Sequence, residues 1–98
     1  MTAPDSLILL VALGAIADEV AATLRAGSHT GTRTCHGCPV AAYLRAHGVE
    51  VVGVSTRTVT VRVNGVRLRI SLPAPVRAFL RNFDGGRYPE LLAMEALP

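Results

Sequence analysis

Between Leu7 and Leu24 the apolar residues return at three- and four-residue steps, and beyond Val49 they return at every second position. The period therefore switches once, from helical to extended. Asp5 or Ser6 is placed to accept the first free amide protons of a helix starting near Leu7, and Gly27 is placed to end it, roughly 20 residues on. Its buried stripe is Leu7, Leu10, Leu13 or Gly14, Ala17, Val20 and Leu24. Ile8, Leu9, Val11 and Ala12 leave the first two turns apolar all round, so that end is expected either in the core or against another chain.

Residues 27–34 are Gly, Ser, Thr, Arg, Ala-free and aliphatic-free, with one His, and read as a flexible loop. Pro39 suits a first helical position and Gly48 a stop, giving a second helix from Pro39 to His47 with Val40, Tyr43 and Leu44 inward.

Val49–Val54 reads as a first strand, whose Val51-Val52 pair breaks strict alternation and suggests burial on both faces. Thr56–Val63 and Val66–Leu72 follow, joined by Asn64-Gly65, a dipeptide that takes the positive φ angles of a type I′ turn. The turn pairs Val63 with Val66, Arg62 with Arg67 and Thr60 with Arg69. Val59, Val61, Val63, Val66, Leu68 and Ile70 then form the expected core face, opposite Thr58, Thr60, Arg62, Arg67, Arg69 and Ser71.

After Pro73, a third helix runs from about Pro75 to Phe83, with Val76, Phe79, Leu80 and Phe83 inward and Arg77 and Arg81 outward. A last turn, Pro89 to Met94, offers Leu91, Leu92 and Met94. The expected architecture is a single α+β domain over residues 1–98, in the order α-α-β-β-β-α-α, with a three-stranded antiparallel sheet.

Composition changes this picture in two respects. With 98 residues, no Trp and two each of Tyr and Phe, the core has to be filled by aliphatic side chains. All ten basic residues are arginine, a bias that fits high-GC coding, and they are unevenly placed. Residues 51–88 hold seven arginines and one acid, whereas residues 1–50 hold three arginines and four acids. The apolar run from Leu7 is shorter than the roughly 20 residues of a membrane span. It also has no preceding positive charge of the kind a secretory signal carries. No membrane partner and a cytoplasmic location are the expectation, with reduced or metal-bound thiols in preference to a structural disulfide.

Both cysteines lie in Cys35-His36-Gly37-Cys38-Pro39. A C-x-x-C pair supplies half of a tetrahedral zinc site, and His29, His36 and His47 are the nearby imidazoles. Cys35, Cys38, His29 and His36 are therefore the candidate metal ligands, with zinc the candidate cofactor. His47 lies about 13 Å beyond Cys38 along a helix, which is too far for direct co-ligation. A redox pair at a helix N-terminus is a second reading, although Pro39 follows the pair and no strand precedes it. In the third reading both thiols are inert, with Cys38 capping the second helix. Nothing in the spacing assembles a catalytic triad, so a non-enzymatic role is expected.

The candidate nucleic-acid contacts are Arg57, Arg62, Arg67, Arg69, Arg77 and Arg81, because guanidinium forks suit phosphate and a two-stranded ribbon fits a major groove. A solvated sheet face accounts for the same arginines. A homodimer through Ile8, Leu9 and Ala12 is the other expected association. The leading reading is thus a small binding or regulatory module for nucleic acid. The alternative is a protein-protein adaptor with a metal- or thiol-stabilised loop.

Cys35-x-x-Cys38-Pro39-x-x-x-Tyr43-Leu44 and Phe83-Asp84-Gly85-Gly86-Arg87-Tyr88-Pro89-Glu90-Leu91 resemble segments of short uncharacterised proteins of high-GC actinobacteria and their mobile elements. The resemblance spans about the last two thirds of the chain and implies a setting, with no activity or site to carry over.

Overall fold

Gly14 divides the first apolar run in two. In the computed structural model, which describes residues 6–34 and 36–92, helix α1 covers Ser6–Val11 and α2 covers Ala17–Ala26. Gly14 has φ +152, and a side chain there would meet Glu19 Cβ at 2.7 Å. The break is stabilised by side chains that the helical period does not reveal. Glu19, in the first turn of α2, reaches back to accept from the Ala15 amide at 2.8 Å, and the Thr23 hydroxyl donates to the Leu13 carbonyl at 2.8 Å. These bonds satisfy backbone groups that a continuous helix would have paired internally. The single helix of roughly 20 residues is thereby corrected to two; of its expected caps, Ser6 is the first residue of α1 and Asp5 lies outside the described residues.

Helix α3 covers Pro39–Ala46, with Cys38 as its N-cap residue and Pro39 at the first position. The sheet follows as β1 Glu50–Val54, β2 Thr58–Val63 and β3 Val66–Ser71, in spatial order β1-β2-β3 and antiparallel throughout. Helix α4 covers Ala74–Asp84, and a 3₁₀ turn covers Pro89–Leu91. The fold is α+β with a three-stranded antiparallel sheet, as the sequence implies. Of the expected last turn, Leu91 is buried and Met94 lies outside the described residues.

One core joins the layers. Leu10, Leu13, Val20, Leu24, Val40, Leu44, Val59, Val61, Val76, Phe79, Phe83 and Leu91 are fully buried in it. The rings of Phe79 and Phe83 stack at 5.8 Å, and Tyr88 stacks on Phe79 at 5.3 Å. Tyr43 holds α3 to α1 by donating its hydroxyl to the Leu9 carbonyl at 2.7 Å.

The hairpin register is the expected one from Val63↔Val66 to Thr58↔Ser71, with Asn64 at φ 52 and Gly65 at φ 79. The expected core face is half right. Val59 and Val61 are buried, but Val66 is 58% and Leu68 44% exposed. The reason is lateral: α3 packs on β1 and α4 packs on α2, so the helical layer covers β1 and β2 and leaves the β3 edge outside it. The Val51-Val52 irregularity is a bulge rather than burial on both faces. Val51 pairs with Val61 and Gly53 with Thr60, leaving Val52 without a partner in the register.

The Gly27–Thr34 segment, read as a flexible loop, is anchored by groups the aliphatic pattern does not show. Gly31 donates to Leu91 O at 2.9 Å, and Thr32 donates to Gly37 O at 2.7 Å. Arg33 Nε donates to Phe83 O at 3.1 Å, with its guanidinium 5.7 Å from the Phe83 ring centroid.

Candidate functional site

The six candidate arginines fall into two groups. Arg62, Arg67 and Arg69 point from the same face of the hairpin, because the two-residue turn sets Arg62 opposite Arg67 and Thr60 opposite Arg69. β1 then alters the trio. It places Glu50 opposite Arg62, and Arg62 Nη1 donates to Glu50 Oε1 at 2.9 Å. The pair is largely exposed and worth at most about 1 kcal/mol, yet it neutralises one of the three charges. Arg67 and Arg69 are exposed and form no ion pair among the described residues.

Arg57, Arg77 and Arg81 converge elsewhere. Together with Thr56 and Ala74 they line a concavity of about 410 Å³ between the β1–β2 turn and helix α4. No acid lines it, and among the described residues none of the three guanidinium groups has an ion-pair or hydrogen-bond partner. Arg77 and Arg81 stand one turn apart on α4, where like charges repel by about 0.2–0.5 kcal/mol. The first turn of α4 carries no acid and its N-cap residue, Pro73, makes no capping bond, so the positive end of the helix dipole lies at the same rim as Ala74. Together these features make a concave surface of unneutralised positive charge. Such a surface can hold an anion, since guanidinium forks donate to phosphate oxygens in pairs.

The β1–β2 turn that carries Arg57 also borders a shallower surface on the sheet. Gly53, Val54, Ser55, Thr58, Thr60 and Arg69 line it, with a volume of about 390 Å³. Ser55 holds the turn: its amide donates to Thr58 O at 2.8 Å, and its Oγ accepts from the Thr58 amide at 3.1 Å. A rigid turn thus sits between Arg57 on one side and Thr58, Thr60 and Arg69 on the other.

The cysteine and histidine residues are arranged differently from the tetrahedral grouping that their spacing invites. Cys35 lies outside the described residues. Cys38 is buried at the start of α3, where its side chain makes no capping bond, and burial pushes its thiol above the ordinary value; the nearby Ala41 and Val40 amides act against this, while the charge of Asp84 adds to it. A thiol held protonated is a poor nucleophile and a poor metal ligand. His36 Nδ1 lies 2.8 Å from the Val52 carbonyl oxygen, which the bulge leaves available, and Arg45 bonds to both His36 O and Val51 O. His29 stands edge-on to Tyr43 at 5.4 Å, and His47 tilts against the same ring at 4.6 Å. Nδ1 of His47 is 2.9 Å from Tyr43 O. Hence His29 goes with His47 and Tyr43, and His36 goes with the bulge. Among the described residues no three of His, Cys, Asp and Glu come close enough together to hold a metal ion.

In the sequence Arg57 falls at the base of the hairpin and Arg77 and Arg81 on the outward face of the third helix, and nothing there brings the three together. The sequence carries no signal that the α4 arginines turn toward Arg57, since that depends on how α4 leaves the sheet at Pro73. The Glu50–Arg62 pair was within reach, because extending the hairpin register to a neighbouring strand places an acid near Arg62. No helix among the described residues is long and apolar enough to cross a membrane. No protein-family model matches the chain, and no curated protein or solved structure matches it either.

Proposed function

We propose that this protein is a small, non-enzymatic nucleic-acid-binding module that grips the phosphate backbone of a duplex at Arg57, Arg77 and Arg81. One observation carries the reading: three arginines from two separate elements line a common concavity with no acid among its lining residues. Repulsion among charges so gathered is unfavourable for the fold alone, and an anionic ligand relieves it.

The aromatic residues favour a duplex over a single strand. Tyr43, Phe79 and Phe83 are buried, and Tyr88 is half-buried with its hydroxyl donating to Asp18 Oδ1 at 2.7 Å. None of these four rings is left fully exposed as a stacking platform for unpaired bases. Phosphate contacts of this kind position a protein on a duplex without reading its sequence. The test is binding to a mixed-sequence duplex at low salt, followed by fluorescence anisotropy. Binding that weakens steeply as salt is raised is the expected outcome, and no detectable binding at low salt sinks the reading.

The outer face of α1 favours a second reading, association of two copies. Ile8 is 67% exposed, and Val11, three residues on in the same helix, is exposed as well; of the other expected contacts, Ala12 is exposed and Leu9 half-buried. Sedimentation of the wild type against Ile8→Gln tests it, and an unchanged monomer in both removes this reading.

A further inference from the structure

The open edge of β3 contributes no residue to the lining of the concave site and poses a separate question. Antiparallel strands alternate between residues whose backbone groups face the neighbour and residues whose backbone groups face away. In a two-residue hairpin, the pair flanking the turn, Val63 and Val66, is a hydrogen-bonded one. The far end agrees: the Leu72 amide donates to Arg57 O at 2.9 Å, one step beyond Thr58↔Ser71. Val66, Leu68 and Ile70 therefore direct their backbone groups to β2. Arg67, Arg69 and Ser71 direct theirs to the open side, where no described strand lies.

This edge has few of the usual defences against pairing. It is six residues long, its register with β2 contains no bulge, and it contains no proline. Its side chains are sorted by face. Val66 and Leu68 are exposed on the core side, and Arg67 and Arg69 on the other.

We infer that β3 docks an extended segment of a partner protein in which acidic and apolar residues alternate, adding a fourth strand to the sheet. Main-chain bonds from Arg67, Arg69 and Ser71 would fix the segment. Its apolar side chains would cover Val66 and Leu68, and its carboxylates would meet Arg67 and Arg69. A second copy of this chain fits the edge poorly. In the two-fold antiparallel registers of greatest overlap that keep the apolar residues on one face, Arg67 stands opposite Arg69 of the other copy or Arg69 opposite its own counterpart, and like charges set across a pair of strands are destabilising.

The probe is a capped peptide of about eight alternating Glu and Val residues. Its controls are a Lys-Val peptide and a block peptide of the same Glu and Val composition. Amide hydrogen exchange of the full chain, read by NMR, is expected to slow at Arg67, Arg69 and Ser71 on adding the Glu-Val peptide. It should stay unchanged at Val66, Leu68 and Ile70, which are already bonded to β2. Arg69→Ser removes one charge, whereas Arg69→Pro also removes an outward amide, a substitution that an edge strand tolerates. The Pro variant should bind about tenfold more weakly than the Ser variant. The inference is overturned by equal binding of the block peptide, by protection that does not alternate along β3, or by exchange data showing β3 already paired between two copies. Duplex binding at Arg57, Arg77 and Arg81 stands or falls independently of all three outcomes.

Discussion

Replacing Gly14 by alanine sets the observed break between α1 and α2 against the continuous helix that the apolar period suggests. At φ +152 an alanine is strained by about 1–3 kcal/mol. Its Cβ would also lie 2.7 Å from Glu19 Cβ and 3.0 Å from both the Glu19 carbonyl carbon and the Val20 nitrogen. Two of these three neighbours are backbone in the first turns of α2, so relief requires moving the helix. Overpacking of that kind adds about 1–3 kcal/mol. Against it stands about 0.4–1 kcal/mol gained because alanine restricts the unfolded chain. The net expectation is a loss of about 1–5.5 kcal/mol, a large share of the stability of a domain this small. Urea unfolding followed by far-ultraviolet circular dichroism measures both the loss and the helix content. An unchanged or increased stability with a gain of roughly one helical turn would mean that residues 6–26 form one helix, and would refute the account of the break.

Arg81→Gln should leave stability unchanged or raise it by up to about 0.5 kcal/mol in urea, because it removes a like-charge neighbour of Arg77 and keeps a good helix former. The same variant should bind duplex more weakly, so that stability and affinity move in opposite directions. Glu50→Gln frees Arg62, which lies outside the concave trio, and should leave the salt dependence of duplex binding unchanged, with stability changed by less than about 1 kcal/mol because the lost ion pair is exposed. For Cys38 the folded chain holds the thiol above its ordinary value of 9.0, so its stabilising contribution is intact below that pH and is lost as pH rises through and beyond it. Urea unfolding at a series of pH values should show that decline, and Cys38→Ala should lack this component, leaving the same-signed loss from Tyr43 and Tyr88, whose hydroxyls are also raised by burial, at higher pH. Alkylation of Cys38 should be slow until the chain is unfolded, as followed by mass spectrometry of the native and denatured protein.

The parts of the fold that are legible in the sequence are those specified by neighbours in the chain. Asn64-Gly65 dictates the hairpin register, Pro39 the start of α3, and Val76, Phe79, Leu80 and Phe83 the buried stripe of α4, and each depends on spacing within a few residues. The parts that are not legible depend on partners distant in sequence. Val66 and Leu68 alternate like core residues, and only the lateral position of the helical layer leaves them uncovered. The Gly31 loop has no aliphatic anchor and is held by the Leu91 carbonyl and by Arg33 on Phe83, contacts across about half the chain or more. The site divides along the same line. The arginines stand out by composition, but their division into a neutralised Arg62, a hairpin pair and a concave trio requires β1 and α4 to be in place.

The claim that phosphate is held by the concave trio is tested most directly by the slope of log K against log salt for a mixed-sequence duplex. The wild type should be compared with Arg57, Arg77 and Arg81 all changed to Gln, and with Arg67 and Arg69 changed to Ser. Each phosphate contact contributes about 0.9 to that slope, so the concave-site variant should lose roughly 2.7. The hairpin variant should lose distinctly less. A concave-site variant with the wild-type slope, or a hairpin variant that takes the larger loss, contradicts the account.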